Sequence, residues 1–385
     1  MSDFARRALL PAGLRDILPP EAEFEARVVE RMMATLAAHG YERVKPPLVE
    51  FEESLLTDSG ASMSPHTFRL MDPVSQRMMG LRADMTLQVA RIAATRLKGL
   101  PRPLRLSYAG QVLRVKGDDL RPERQFGQVG AELIGCDEAA ADAEAVLLAA
   151  SALTGVGVTN LTIDLSSPKL VPAVLAAHGL APASKRLRDA LDRKDSAAVA
   201  ALGGVAAPTL TVLLAATGPA DRALGTISRM KLPAEAAAEA ARLADVVARV
   251  REAAPELRLT VDPVEMRGFE YHTGLCFTLF ARGVRGELGR GGRYSAGDAF
   301  AESGGEPATG FTLFTDTILR ALPPAPAAER LYLPYGTAPD VAAQLRADGW
   351  RTVAGLAPEN DPAAEARRLR CTHVFIGGAP NRLED

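Results

Sequence analysis

The residues of this chain with chemical potential are polar groups set among hydrophobic runs that read as strands. Asp84 and Thr86 follow Leu81-Arg82, and Arg267 stands just before Gly268, Tyr271 and His272. Gln128 and Glu132 are four apart within one extended run, so their side chains point to the same sheet face. Carboxylates, an amide and an arginine gathered on one face would suit a zwitterion with a basic side chain, such as an amino acid. The guanidinium can take a carboxylate bidentately, and the acids can take ammonium or imidazole protons. The same residues would equally suit a solvated sheet face with incidental charges. Gly289-Arg290-Gly291-Gly292-Arg293-Tyr294 could cradle a phosphate on backbone N–H groups or mark a tight sheet crossing. It is neither a GxGxxG fingerprint nor a Walker loop. No Ser/His/Asp or Cys/His motif is recognisable, and the five histidines show no HExxH spacing. No catalytic residue, metal ligand or cofactor is therefore assigned.

The elements that must position these groups fall into blocks. The first 160 or so residues mix helix and strand. Glu21 to His39 has Val28, Val29, Met32, Met33 and Leu36 at helical spacing, with Gly40 to end it. Tyr41 to Glu50 reads as extended because Pro46-Pro47 excludes helix. Leu104 to Arg114 and Arg124 to Ile134 read as an antiparallel hairpin around a charged loop, and Asp137 to Leu153 as a helix. Residues 167–254, rich in Ala, Leu, Val, Arg and Asp, read as several helices, including Ala183 to Leu191 and Pro233 to Ala253. Strands return from Arg258, with Cys276 to Phe280 and Gly286 to Arg293, and the block closes with Thr309 to Leu322, an extended piece running into a helix. Pro323-Pro324-Ala325-Pro326 reads as a stiff linker to a small module alternating strand and helix. The expected division is a core of 1–166 with 255–322, a helical insertion of 167–254, and an α/β module of 329–385.

Composition narrows the function classes. Forty-five basic and 47 acidic residues leave a net charge of −2, without the basic excess usual for a polyanion binder. Cys136, Cys276 and Cys371 are isolated and odd in number, which favours reduced thiols in the cytoplasm. No stretch approaches the roughly 20 apolar residues of a membrane span, and the N-terminus has no signal-peptide core.

Several motifs, in order, resemble class II histidyl-tRNA synthetases over most of residues 8–322. Pro11, Gly13, Arg15, Asp16 and Pro19 are similar to the N-terminal signature, and Gly40-Tyr41 through Pro47 resembles motif 1, the dimer-interface motif. Arg82-Ala83-Asp84-Met85-Thr86 resembles the histidine-binding loop Arg-Pro-Glu-Gly-Thr. Tyr108 to Arg114 followed by Arg124 to Gly135 resembles motif 2. Arg267-Gly268-Phe269-Glu270-Tyr271-His272-Thr273-Gly274 and Gly291-Gly292-Arg293-Tyr294 resemble the two histidine signatures. The resemblance implies an α+β fold: a class II core with an antiparallel sheet, a helical insertion and a small C-terminal α/β module. It also implies histidine binding by Asp84, Thr86, Arg114, Gln128, Glu132, Arg267, Tyr271 and His272.

The departures point away from tRNA charging. Thr317 stands where motif 3 of the synthetases has the arginine that holds the triphosphate. In motif 2, Lys116 and Gly117 replace a glutamate and an arginine, and Gly127 replaces a histidine. Loss of a preorganised cation costs such a reaction roughly 10²–10³-fold or more. Residues 329–385 carry seven Arg, no Lys and eight acidic side chains, which offers no basic surface for tRNA. Asp84 is one methylene shorter than the glutamate it replaces, and His272 replaces the second tyrosine of a pair. A kept ligand pocket beside a broken ATP site resembles the synthetase-like regulatory subunits of ATP phosphoribosyltransferase. Such a subunit is non-catalytic in a glycosyltransferase complex. The resemblance implies a short-form catalytic subunit as partner, a class II-type dimer within a hetero-oligomer, and L-histidine as feedback effector, with no tRNA and no membrane. A divergent histidyl-tRNA synthetase is the alternative.

Overall fold

A computed structural model describes residues 9–56, 63–117, 121–266, 272–300, 304–325 and 328–384. Arg267 and Tyr271 lie outside these described residues. The chain divides into two compact units, one of residues up to Asp16 with Glu25–Pro323, the other of Ile17–Phe24 with Pro324–Asp385.

The first unit is organised by a nine-stranded sheet. Its strands are β1 (Glu42–Arg43), β5 (Leu104–Leu113), β6 (Gln125–Ile134), β7 (Leu161–Ser166), β8 (Gly218–Pro219), β9 (Arg258–Val261), β10 (His272–Ala281), β11 (Gly289–Ala296) and β12 (Glu306–Phe314). A second, three-stranded sheet holds β2 (Val49–Phe51), β3 (Arg69–Met71) and β4 (Met78–Leu81). The large sheet runs β1-β5-β6-β12-β11-β10-β7-β9-β8. It is antiparallel from β5 through to β7. Parallel pairs flank that stretch where β1 joins β5 and β9 joins β7. The N-terminal and C-terminal parts of the unit are thus interleaved, because β12 inserts beside β6 and brings β11 and β10 with it.

Both faces of the sheet are covered, and so β6 is buried at nine consecutive positions. The helix Thr86–Thr95 packs on β6 and β11, and Met85, Val89, Ala90 and Ala93 form a core there with Tyr108, Phe126, Ile134 and Tyr294. The helix Ala139–Gly155 lies across β6, β10, β11 and β12. Its ten buried positions include one charge, Asp142, which is fully buried. Burying a lone carboxylate is costly unless it is paired and hydrogen-bonded. Here Arg293 of β11 approaches it at 2.9 Å and Arg242 of the helix Ala234–Ala253 at 3.0 Å. Arg293 also donates to the Cys136 and Glu138 carbonyls. The glycine-rich segment is therefore a sheet strand, and its arginine faces a helix.

Between β7 and β9 the chain forms seven α-helical or 3₁₀ segments among the described residues, starting with Leu170–Ala177 and ending with Ala234–Ala253. Ser184 and Asp195 cap two of them by accepting the N–H of Leu187 and Ala198. The block also contributes β8 to the sheet edge, antiparallel to β9, and it falls in the same compact unit as the sheet.

The second unit holds β13 (Arg330–Leu333), β14 (Arg351–Ala354), β15 (His373–Ile376) and β16 (Ala379–Arg382), in the order β14-β13-β15-β16. Alternation along β13 sends Leu331 and Leu333 against Ala342 and Leu345 of the helix Pro339–Ala347, and Tyr332 against Ala366 of the helix Pro362–Arg368. The strand absent from the sequence reading is β16. Gly377 and Gly378, with φ of 65° and 82°, form the two-residue turn that folds it back on β15.

Asp142→Ala leaves two guanidinium groups facing an uncharged helix, one of them buried, and is expected to cost about 3–5 kcal/mol in denaturant unfolding. Arg293→Ala should cost a similar amount, and the double variant much less than the sum, since both act on one network.

Candidate functional site

The central strands supply a row of side chains on the face covered by the helix Thr86–Thr95. In register, Leu106 of β5, Glu132 of β6, Gly310 of β12 and Gly292 of β11 lie side by side. Two residues along, the row is Tyr108, Gly130, Thr312 and Arg290. Large and small residues alternate across the strands, and the glycines make the space. A Cβ on Gly310 would run into the Glu132 carboxylate, and one on Gly130 into the Tyr108 ring. A Cβ on Gly292 would stand 2.7 Å from the His272 ring.

Glu132 is the centre of the site and is 1% exposed. Its Oε1 accepts from the Tyr108 hydroxyl at 3.0 Å and its Oε2 from the Tyr294 hydroxyl at 2.9 Å. The Tyr108 oxygen also lies 2.8 Å from the Thr312 hydroxyl and 3.1 Å from that of Thr86. Burial pushes the Glu132 carboxyl up to about 8, although the Tyr294 and Tyr108 hydroxyls act against that rise. Burial likewise raises the Tyr108 phenol well above its usual range, so it serves as donor and never as phenolate.

The Asp84 loop is held from beneath. Arg82 donates to the carbonyls of Gln111 and Pro46, tying the loop to β5 and to the proline segment that precedes β2. Asp84 Oδ1 accepts the Thr86 N–H at the start of the helix, and Oδ2 accepts from Gln128 Nε2 at 2.9 Å. Gln128 Oε1 in turn accepts the Met85 N–H. The Gln128 amide thus fixes Asp84, one layer behind the cavity wall.

Asp84, Thr86, Arg114, Glu132 and His272 line one cavity together with Tyr294, Thr312 and Arg290. Five of the eight residues expected to bind histidine therefore share a pocket, and Gln128 supports it from behind. His272 opens β10 opposite Tyr294. Burial, followed by the nearby Arg290 cation, lowers its imidazole to about 3, so it is neutral in the neutral pH range. Tyr108, Tyr294, Thr312 and Arg290 were not singled out from the sequence as binding residues. The available signal was the alternation of Tyr294 and Arg290 with Gly292 along β11, which puts all three on one face.

The segment corresponding to synthetase motif 3 is occupied by protein groups. Thr317 is 1% exposed, and the Arg121 guanidinium lies 3.4 Å from its hydroxyl. Arg121 pairs with Asp316 at 3.1 Å, both being under 10% exposed. The guanidinium stacks 4.7 Å from the Phe126 ring centre and 3.9 Å from that of Phe314. The two rings meet edge to face, with centres 5.9 Å apart and planes at 79°, so Arg121 packs against an aromatic pair beside its ion pair with Asp316. No group of three or more His, Cys, Asp or Glu able to hold a metal occurs among the described residues, and no described helix is long and apolar enough to cross a membrane.

Residues 13–318 match the family described as histidyl-tRNA synthetase. The chain is 61% identical to the ATP phosphoribosyltransferase regulatory subunit of Rhodospirillum centenum, over 98% of this chain and 97% of that one. It is 62% identical to the subunit of the same name from Paramagnetospirillum magneticum, over 97% of each. Among solved structures, it superposes at a TM-score of 0.80 and 24% identity on an ATP phosphoribosyltransferase regulatory subunit/histidyl-tRNA synthetase from Bacillus halodurans, covering 94% of this chain and 96% of that one. Histidyl-tRNA synthetase from Nostoc superposes at 0.79 with 18% identity, over 97% and 92% of the two chains. The fold is the class II histidyl-tRNA-synthetase-like α+β fold.

The raised Glu132 carboxyl sets a pH signature. Up to about pH 8 the folded chain keeps a proton that an ordinary carboxylate of the unfolded chain releases near 4.5. Stability contributed by this group therefore falls as pH rises through that window. His272 works the other way, but only between about 3 and 6.5. Between pH 6.5 and 8, Glu132→Gln is expected to show a flatter stability profile than the parent in urea unfolding. Parallel profiles would contradict a proton on Glu132.

Proposed function

We infer the role of this chain from its family: it belongs to the ATP phosphoribosyltransferase regulatory subunits, proteins of histidyl-tRNA-synthetase-like fold. In this reading it binds L-histidine in the Glu132 cavity, activates a separate short-form catalytic subunit, and transmits feedback inhibition to it. The catalytic subunit carries out phosphoribosyl transfer, the first step of histidine biosynthesis.

The observation that carries the reading is the contrast between two neighbouring places on one sheet. The cavity at Glu132 is lined by Asp84 and Glu132 together with Arg114 and Arg290. Beside Thr317, Arg121 packs against Phe126 and Phe314 and forms a buried pair with Asp316. Histidine placed in the cavity would set its ring against Glu132 and its ammonium near Asp84. Arg267 and Tyr271 complete the proposed contacts. A nucleotide group taking the place of Arg121 would have to disrupt this buried ion pair, which costs several kcal/mol. This arrangement supports binding without adenylation.

Feedback then requires histidine to favour one arrangement of the mixed assembly, whose members include a class II-type dimer of this chain. A coupling of about 1–3 kcal/mol changes affinity by roughly 5- to 150-fold and is reciprocal, so substrates of the partner shift histidine affinity by the same factor.

Glu132→Ala is expected to weaken histidine binding by roughly tenfold to a hundredfold, from about 1–3 kcal/mol for a lost buried partner. Calorimetry on the purified chain measures it. Mixed with a short-form catalytic subunit, the parent should activate the partner and confer histidine inhibition. Glu132→Ala should still activate but require correspondingly more histidine to inhibit. Inhibition of that variant at the parent's histidine concentration would place the sensor elsewhere. The chain alone is expected to show no histidine-dependent ATP–pyrophosphate exchange, and measurable exchange would favour a divergent synthetase.

A further inference from the structure

We propose that Arg290 is the carboxylate-recognising residue of the Glu132 cavity and sets its preference for an amino acid over the corresponding amine or amide. This rests on the reading of the cavity as a histidine site and adds to it a residue that neither the family motifs nor the spacing of polar groups assigns.

The argument starts from sheet register. Glu132, Gly310 and Gly292 share one row, and Gly130, Thr312 and Arg290 share the next but one. Residues directly opposite in antiparallel strands, and residues two apart in one strand, point to the same face. Arg290 and Glu132 therefore face the same cavity, which both line. They are two strands apart across the sheet and two residues apart along it. With strands about 4.8 Å apart and about 3.4 Å per residue, their Cα atoms are about 12 Å apart. Their side chains can close on a molecule measuring about 6 Å from ring to carboxylate by ordinary bond lengths. Of the positions between them, Gly310 and Gly292 carry no side chain, and Thr312, next to Arg290 in its row, offers a hydroxyl to the cavity.

Charge points the same way. Asp84 lines the cavity as its carboxylate, beside Glu132, whose oxygens accept from the Tyr108 and Tyr294 hydroxyls. Arg290 and Arg114 line it as cations, and the Arg290 guanidinium lies 5.9 Å from the Phe314 ring centre. Glu287 is 3.9 Å from Arg290, a long contact with both side chains roughly a third exposed. A planar fork of N–H donors suits a carboxylate bidentately, while an amide carries no charge to meet it.

The test compares L-histidine with L-histidinamide, which keeps the ring and the amino group and removes the negative charge. Calorimetry is done on the full chain, on Arg290→Ala, Arg290→Lys and Arg290→Gln, and on Glu132→Gln. The parent should bind histidine at least tenfold tighter than the amide. Arg290→Ala should lose most of that preference by binding histidine about tenfold or more weakly while holding the amide within about twofold. Arg290→Lys should recover part of the preference, and Arg290→Gln, which keeps the side-chain length, serves if the alanine variant fails to fold. Glu132→Gln should weaken both ligands together. A parent-like preference in a folded Arg290→Ala or Arg290→Gln would overturn the assignment of Arg290. Absence of histidine binding by the parent would overturn the reading of the cavity itself, a separate and distinguishable result.

Discussion

A carboxyl group withdrawn from water has to be met by donors or hold its proton, and Glu132 does both. Two tyrosine hydroxyls from two different strands converge on its oxygens, and its proton stays to about pH 8. Tyr108 comes from the N-terminal half of the large sheet and Tyr294 from the C-terminal half. Their meeting depends on β12 standing between β6 and β11. The interleaved strand order is thus bound up with the placement of one acid. The helix Thr86–Thr95, the Asp84 loop and the Arg82 contacts close around the position that this acid defines.

The opposite face of the sheet holds a second buried acid with a different partner set. Asp142 is met by guanidinium groups rather than hydroxyls. Arg293 and Tyr294 are consecutive residues of β11, one turned to each acid. Strand alternation converts adjacency in sequence into a division of labour: Arg293 secures the helix Ala139–Gly155 to the sheet, and Tyr294 secures the floor of the cavity. This explains why a glycine-rich run suggestive of a phosphate loop serves as a crossing strand. Its small residues let side chains from neighbouring strands cover it.

Much of the fold was legible in the sequence where hydrophobic period and chain breakers agree. Val28, Met32, Met33 and Leu36 mark the first long helix, and the two strands around the charged loop of residues 115–123 pair as an antiparallel hairpin. The parallel joins of β1 to β5 and β9 to β7 were not legible, because they pair distant segments through two- and four-residue strands with little pattern of their own. Strand β16 escaped because Ala379-Pro380-Asn381-Arg382 lacks strand-forming residues and is placed by its turn. In the site, Asp84, Thr86, Glu132 and His272 could be named because they fall in recognisable motifs. Arg290 could not, since its role follows from the register between β11 and β6, a property of three strands taken together.

The glycines of the sheet have a consequence for reading relatives of this chain. Gly310 and Gly130 are excluded from bearing a side chain by the acid and by the tyrosine beneath them, not by any demand of nucleotide chemistry. A relative is not at liberty to gain a side chain at the first position while it keeps the acid, nor at the second while it keeps the tyrosine. Substitution at either one is thus a diagnostic character: in a homologue carrying it, the acid at the first position or the tyrosine at the second must have been lost or have turned away.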